Sequence, residues 1–197
     1  MLASGSGSNL QALMDDPVVG PRIVLVVSDR RDAGALERAS FRGIDAEFVD
    51  PAQSLDREEY DRAIRARLER SGIDHVLHAG FMRLLTEEMV KPFDGRQLNV
   101  HPSLLPAFPG AHAPRDALAW GARVTGATVH FVDVEVDSGP IVVQEAVPVE
   151  PGDDEESLHA RIKRVEHRIY PWAARALIEG RLSIEGRTVR IAPEVLA

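Results

Sequence analysis

The stretch "DAEFVDPAQSLDREEYDRAIRARLERSGIDHVLHA", residues 45–79, places one amphipathic segment between two short apolar runs. In its middle, Tyr60, Ile64 and Leu68 recur every four residues among charged neighbours, the spacing that gives a helix one apolar stripe. Gly72 follows as a stop signal, because glycine readily takes the left-handed conformation that ends helices. A helix over 56–72 between strands at 45–49 and 75–79 is a β/α/β unit. Further β-branched runs extend the pattern at 22–28 ("RIVLVVS"), 97–101 ("QLNVH"), 124–132 ("VTGATVHFV") and 140–149 ("PIVVQEAVPV"). Such alternation builds a mostly parallel sheet with helices on both faces. The runs at 124–132 and 140–149 are joined by too few residues for a crossover helix, so they are expected as antiparallel neighbours. The expected fold class is therefore α/β, a single domain with a mixed, mostly parallel sheet.

Residues 154–180 ("DEESLHARIKRVEHRIYPWAARALIEG") read as a long helix in which Leu158, Ile162, Val165 and Ile169 keep helical spacing. Pro171 is expected to bend or divide it, since proline has no N–H to continue the ladder. The segment "RLSIEGRTVRI" reads as a small edge hairpin with Glu185-Gly186 in its turn. At the other end, the strand expected before the first helix is only Met1-Leu2-Ala3, shorter than a central strand normally is. An internal start and missing residues both remain open as explanations.

Composition narrows the function classes. The 197 residues suffice for one domain with a sizeable core, and 44% hydrophobic with 27% charged residues is the balance of a soluble globular chain. There is no cysteine, which excludes disulfides, thiolate metal sites and cysteine nucleophiles. The net charge of -8 is spread along the chain, which argues against a nucleic-acid surface. No apolar run has the length of a membrane span and no signal-like segment opens the chain, so a cytoplasmic location is expected.

Three stretches carry chemistry. "ASGSGSNLQALM" (3–14) sets small residues before a helical pattern with Leu10, Leu13 and Met14 on one face. Glycines allow a tight approach and a helix start presents unpaired N–H groups, so Ser6, Gly7, Ser8 and Asn9 are candidate donors to a phosphate. A plain strand-to-helix turn is the competing reading. In "LNVHPSLLPAFPGAH" (98–112), Asn99 and His101 lie two apart at a strand end, hence on one side of the strand. Ligands in open α/β sheets sit beyond strand carboxyl ends. An amide there can donate to a developing oxyanion, and an imidazole can move a proton near neutral pH, while for the pair alone a capped strand with a buried, satisfied histidine is the competing reading. Pro102, Pro106 and Pro109 would restrict the loop that follows. In "HFVDVEVDSGP" (130–140), Asp133, Glu135 and Asp137 crowd a loop that also reads as an ordinary acidic turn, the preferred reading for Glu135, while in Asp-Ser-Gly-Pro a rigid turn would fix the direction of Asp137.

Taken together, "GSGSNLQ", "AGFMRLL", "LNVHPSLLPAFPGAH", "TGATVHFVDVEVDSGPIVVQ" and "EHRIYP" resemble, in order from residue 3 to about 183, the glycinamide ribonucleotide formyltransferase family of purine biosynthesis. The resemblance implies a Rossmann-like formyltransferase fold, with 1–95 as the ribonucleotide phosphate-binding half and 96–197 as the catalytic and folate-binding half. It implies 10-formyltetrahydrofolate as cosubstrate, no metal, and Asn99, His101 and Asp137 as catalytic residues. Gly7, Ser8, Asn9 and Glu166 would bind the ribonucleotide. Met82, Arg83, Leu84, Leu85, Asn99, Asp133, Val134, Glu135, Val136 and Asp137 would bind the folate. On spacing alone, Met82 and Leu84 read as core. Ala107 stands where some relatives carry lysine, outside the catalytic positions. Partners are expected to be small molecules, with no nucleic acid and no membrane, and a homodimer is compatible with the pattern.

His75 and His78 face opposite sides of a strand and cannot easily share an ion. His112 and His130 are expected behind the reacting groups, His159 in solvent, and His167 beside the site. Two rival functions stay open: hydrolysis of the formyl folate by the same three residues, and a folate- or nucleotide-binding module without turnover.

Overall fold

Strands and helices alternate as the periodicities require. In the computed structural model, which describes residues 1–194, the order is α1 (Ser8–Asp15), β1 (Leu25–Ser28), α2 (Gly34–Phe41), β2 (Asp45–Phe48), α3 (Arg57–Arg70), β3 (Val76–His78), α4 (Glu87–Val90), β4 (Gln97–His101), α5 (Ala113–Trp120), β5 (Val124–Phe131), β6 (Ile141–Pro148), α6 (Glu155–Ile178), β7 (Leu182–Glu185) and β8 (Thr188–Ile191). The chain divides into two units at Leu98 and Asn99. No helix among the described residues is long and apolar enough to cross a membrane.

In the first unit, β1 and β2 pair in parallel, Leu25 opposite Asp45 and Ser28 opposite Phe48. The short opening segment works as a central strand after all, because Leu2 bridges in parallel to both Val27 and His78. Its backbone is satisfied on both sides: Leu2 N–H donates to Leu77 O, Ala3 N–H to Val27 O, and Ala79 N–H to Leu2 O. Tyr60, Ile64 and Leu68 turn the apolar stripe of α3 onto Leu2, Leu25, Val27 and Val76, forming the core of this unit. Each such aliphatic side chain contributes about 1.5–3 kcal/mol by leaving water, so this face, rather than helix propensity, holds α3 in place. Asp56 caps its start by accepting from Glu59 N–H at 2.8 Å. The expected strand over 22–28 starts only at Leu25, because Gly20–Arg22 form a 3₁₀ turn with Pro21 fixing its φ.

In the second unit the strand order is β4-β5-β6-β8-β7. β5 and β6 are antiparallel, Val124 opposite Pro148, with a register shift between Val129 and His130. β7 and β8 form the antiparallel hairpin, and β8 meets β6 in parallel. α6 packs on β5 and β6 through a face that includes Leu158, Ile162, Val165 and Ile169. Its start is a reciprocal capping box between Asp154 and Ser157. Pro171 does not divide α6, which runs as one helix from Glu155 to Ile178. The lost N–H removes one rung of the ladder, and the buried neighbours Ile169, Tyr170, Ala173 and Ala174 supply packing on both sides of it.

Candidate active site

β4 ends at His101, and the loop after it is pinned to β5 by one buried hydroxyl. Thr128 Oγ1 donates to Ser103 O at 2.6 Å and accepts from Leu105 N–H at 3.1 Å and from Gln144 Nε2 at 2.9 Å. Further along the loop, Phe108 O accepts from His101 Nε2 at 2.8 Å, and Gly110 N–H donates to Asp137 Oδ2 at 2.7 Å. The loop thus holds both the imidazole and the carboxylate that faces it.

His101 Nδ1 lies 3.4 Å from Asp137 Oδ2, with both side chains largely buried. Asp137 adopts φ 51°, a left-handed conformation that costs a non-glycine residue energy and that accumulates at functional sites. Asn99 is half-buried, and its Nδ2 lies 3.2 Å from Nε2 of His130. His130 Nε2 in turn stands 3.7 Å from Asp137 Oδ1, while its Nδ1 meets Phe131 O at 2.8 Å. Burial pulls the His130 imidazolium below its ordinary range, with Phe131 O and Asp137 opposing that effect. The second unit therefore brings together an amide donor, two imidazoles and one carboxylate. The three residues expected as catalytic are among them.

His130, expected behind the reacting groups, lies against Asn99. Its two-residue spacing from Thr128 on β5 is the sequence signal that would have placed it on the same face as that pinning hydroxyl. The Phe108 carbonyl and Gly110 N–H, being backbone, had no signal in residue types.

In the first unit, Gly7 caps α1 at φ 76°, and Ser8 and Asn9 are the first helical residues. A Cβ on Gly7 would lie 2.8 Å from Ala35 Cα, so the loop needs glycine both for its angle and for its closeness to α2. Arg38, unremarked in the sequence, clamps this loop by donating from Nε to Ser6 O at 2.8 Å and from a terminal nitrogen to Gln11 Oε1 at 3.1 Å. In the 81–85 segment, Phe81 and Leu85 pack on the core, whereas Met82 and Leu84 are 64% and 53% exposed. The spacing-only reading of these two as core residues is thereby corrected. Met82 N–H is held at 2.9 Å by Ser4 Oγ, which donates to Asp29 Oδ1, and the Arg83 guanidinium sits 4.8 Å from the Tyr60 ring.

Asp133, Val134, Glu135 and Val136 are exposed in the loop between β5 and β6. Glu166 is buried on α6. His159, expected in solvent, is half-buried, and burial lowers its pKa. His78 is buried against Gln97 Oε1 at 3.0 Å. Among the described residues, no three His, Asp or Glu side chains are grouped to hold a metal ion.

The chain has known relatives. Residues 1–174 match the model of the family described as formyl transferase. The phosphoribosylglycinamide formyltransferase of Mycobacterium tuberculosis (strain CDC 1551 / Oshkosh) is 45% identical over 99% of this chain and 91% of its own length. The trifunctional purine biosynthetic protein adenosine-3 of Gallus gallus is 44% identical over 93% of this chain, which spans only 19% of that protein. Among solved structures, glycinamide ribonucleotide transformylase 1 from Symbiobacterium toebii is similar with a TM-score of 0.94 at 52% identity, covering 98% of this chain and 92% of that one. The chain belongs to the formyl transferase family.

Proposed function

We propose that the protein transfers the formyl group of 10-formyltetrahydrofolate to the amine of 5'-phosphoribosylglycinamide, giving the formylated ribonucleotide and tetrahydrofolate in purine biosynthesis. The observation that carries this reading is the convergence of Asn99, His101 and Asp137 in a chain of this family. The mycobacterial relative, matched over nearly its whole length, bears the name of this activity.

The amine nitrogen forms a bond to the formyl carbon, whose oxygen becomes an oxyanion. Asn99 donates to that oxygen from Nδ2. His101 has its Nε2–H on Phe108 O and its Nδ1 edge facing Asp137, so as an imidazolium it stabilises the oxyanion chiefly by charge. Asp137 balances that charge and, with water, helps carry the proton from the attacking amine to the folate nitrogen as the carbon–nitrogen bond to folate breaks.

In this reading 1–95 serves the ribonucleotide phosphate and 96–197 the chemistry. Gly7, Ser8 and Asn9 take the phosphate on the start of α1, and Glu166 contacts the ribonucleotide. Met82, Arg83, Leu84 and Leu85, with Asp133, Val134, Glu135, Val136 and Asp137, receive the folate. The exposure of Met82, Leu84, Val134 and Val136 supports this, since each leaves apolar surface uncovered in its own unit. We place the enzyme in the cytoplasm, working on small molecules.

The test supplies purified protein with 10-formyltetrahydrofolate. Tetrahydrofolate should appear only when glycinamide ribonucleotide is added. Release without the acceptor would establish a hydrolase instead, and no release under either condition would establish a binding module.

A further inference from the structure

The Asn99–His130 contact has only one assignment of protons that satisfies both neighbours of the ring. Phe131 O can only accept, so His130 Nδ1 must carry the hydrogen across 2.8 Å. Asn99 Nδ2 can only donate, so His130 Nε2, 3.2 Å away, must present a lone pair. A neutral imidazole protonated at Nδ1 meets both demands, whereas an imidazolium would set two donors against each other. Asp137 Oδ1 at 3.7 Å is beyond hydrogen-bond distance from Nε2, which leaves that carboxylate's charge to His101 and Gly110.

The backbone is built to hold this state. At His130 the register of β5 and β6 shifts, Val129 facing Val143 and His130 facing Ile141, so that β6 passes over Val142 while β5 keeps its regular alternation. Gly139 lets the chain pass so close to Phe131 that an added Cβ would lie 1.8 Å from Phe131 O, the oxygen that receives the His130 proton. Phe131 N–H is fixed in turn by Pro140 O at 2.9 Å.

We infer that His130 is a positioning residue whose bare Nε2 fixes which end of the Asn99 carboxamide faces the reacting carbon. By accepting one Nδ2 hydrogen, it keeps the other available for the formyl oxygen and keeps Oδ1 turned away from it. Without that acceptor the amide can reverse and offer an oxygen to an oxyanion. The inference deepens the proposed formyl transfer and rests on it for the identity of that oxyanion, but the ring state can be read without any substrate.

Two measurements test it. The ¹⁵N spectrum of histidine-labelled protein at neutral pH should show His130 protonated at Nδ1 and bare at Nε2; a proton on Nε2 would overturn the inference whether or not formyl transfer is the reaction. In the transfer assay, His130→Met should lower kcat by roughly tenfold to a hundredfold, as for a compromised oxyanion donor, with KM for both substrates little changed. His130→Gln, which restores an acceptor, should recover part of the loss. In an Asn99→Ala background, His130→Met should cost almost nothing more, because the two act as one unit. A full further loss there, or equal losses in kcat and in affinity in the single variant, would mean that His130 serves only the packing. If the wild-type protein makes no formylated ribonucleotide, the functional reading fails while the spectrum still decides the ring state.

Discussion

The carboxylate at position 137 is set by backbone as much as by side-chain chemistry. Its φ of 51° and the 2.7 Å bond from Gly110 N–H aim Oδ2 at His101 across 3.4 Å. Asn tolerates the left-handed conformation as Asp does, so Asp137→Asn removes the charge while leaving the turn available. That substitution is expected to lower kcat by about a hundredfold or more, in the range set by removal of a group that acts in the transition state, with a much smaller change in folate affinity. Steady-state kinetics beside equilibrium titration with a folate analogue would check this, and equal losses in both would remove Asp137 from the chemistry. The Asn99 and His101 pair was legible because a spacing of two at a strand end has a single geometric meaning. What His130 does is not legible, since its role depends on which oxygen its Nδ1 meets, and that is not written in residue type.

Among the elements, the best-read ones are those with a strong period and a cap. α3 begins one residue after Asp56 and ends just before Ser71 and Gly72, because the cap, the stripe and the glycine all point to the same limits. α6 was read correctly at both ends, but the fate of Pro171 depends on how much packing surrounds it. Leu2 shows the opposite case: a segment too short to have any period is a central strand because Val27 and His78 offer it backbone on both sides. The turn into α1 joins element and function. At Gly7 an alanine would carry its Cβ to 2.8 Å from Ala35 Cα, which is backbone and cannot swing aside. Gly7→Ala is expected to destabilise the fold by about 1–3 kcal/mol through this strain, and to raise KM for the ribonucleotide while sparing that for the folate. Denaturant midpoints and the two Michaelis constants measure the two effects, and an unchanged ribonucleotide KM in a destabilised variant would return this turn to a purely structural role.

At the scale of the whole molecule, the alternation of periods 2 and 3.6 made the α/β class and the antiparallel β5–β6 pair readable, whereas the parallel meeting of β6 with β8 joins distant segments that no local pattern links. The same burial that builds these layers sets how stability follows pH. Burial is the leading cause that lowers the pKa of His75, His130, His159 and His167 from the ordinary 6.5. As pH falls through about 6.5, the unfolded chain therefore takes up protons before the folded one, and the free energy of unfolding must fall. Asp61 acts with the opposite sign, since burial raises its carboxyl and the folded state keeps that proton longer as pH rises past 3.8. Asp153, held low by Arg161, and Asp154, held low by Ser157, give stability that is present above 3.8 and lost only as pH falls below it. The histidines therefore act in the interval just below neutrality, together with the Met1 amine, which burial pulls down to about 5. Every tenfold by which burial weakens proton binding at His130 removes about 1.4 kcal/mol from acid stability, or ~3–6 °C in Tm for a chain of this size. Relief of the net charge of -8 works against this, but added salt screens it and leaves the buried histidines nearly untouched. In moderate salt, Tm should thus drop between about pH 7.5 and about pH 5, and the drop should be smaller in His130→Met. A Tm that stays level or rises on acidification through that interval would mean that these imidazoles take their protons in the folded state as readily as in the unfolded chain.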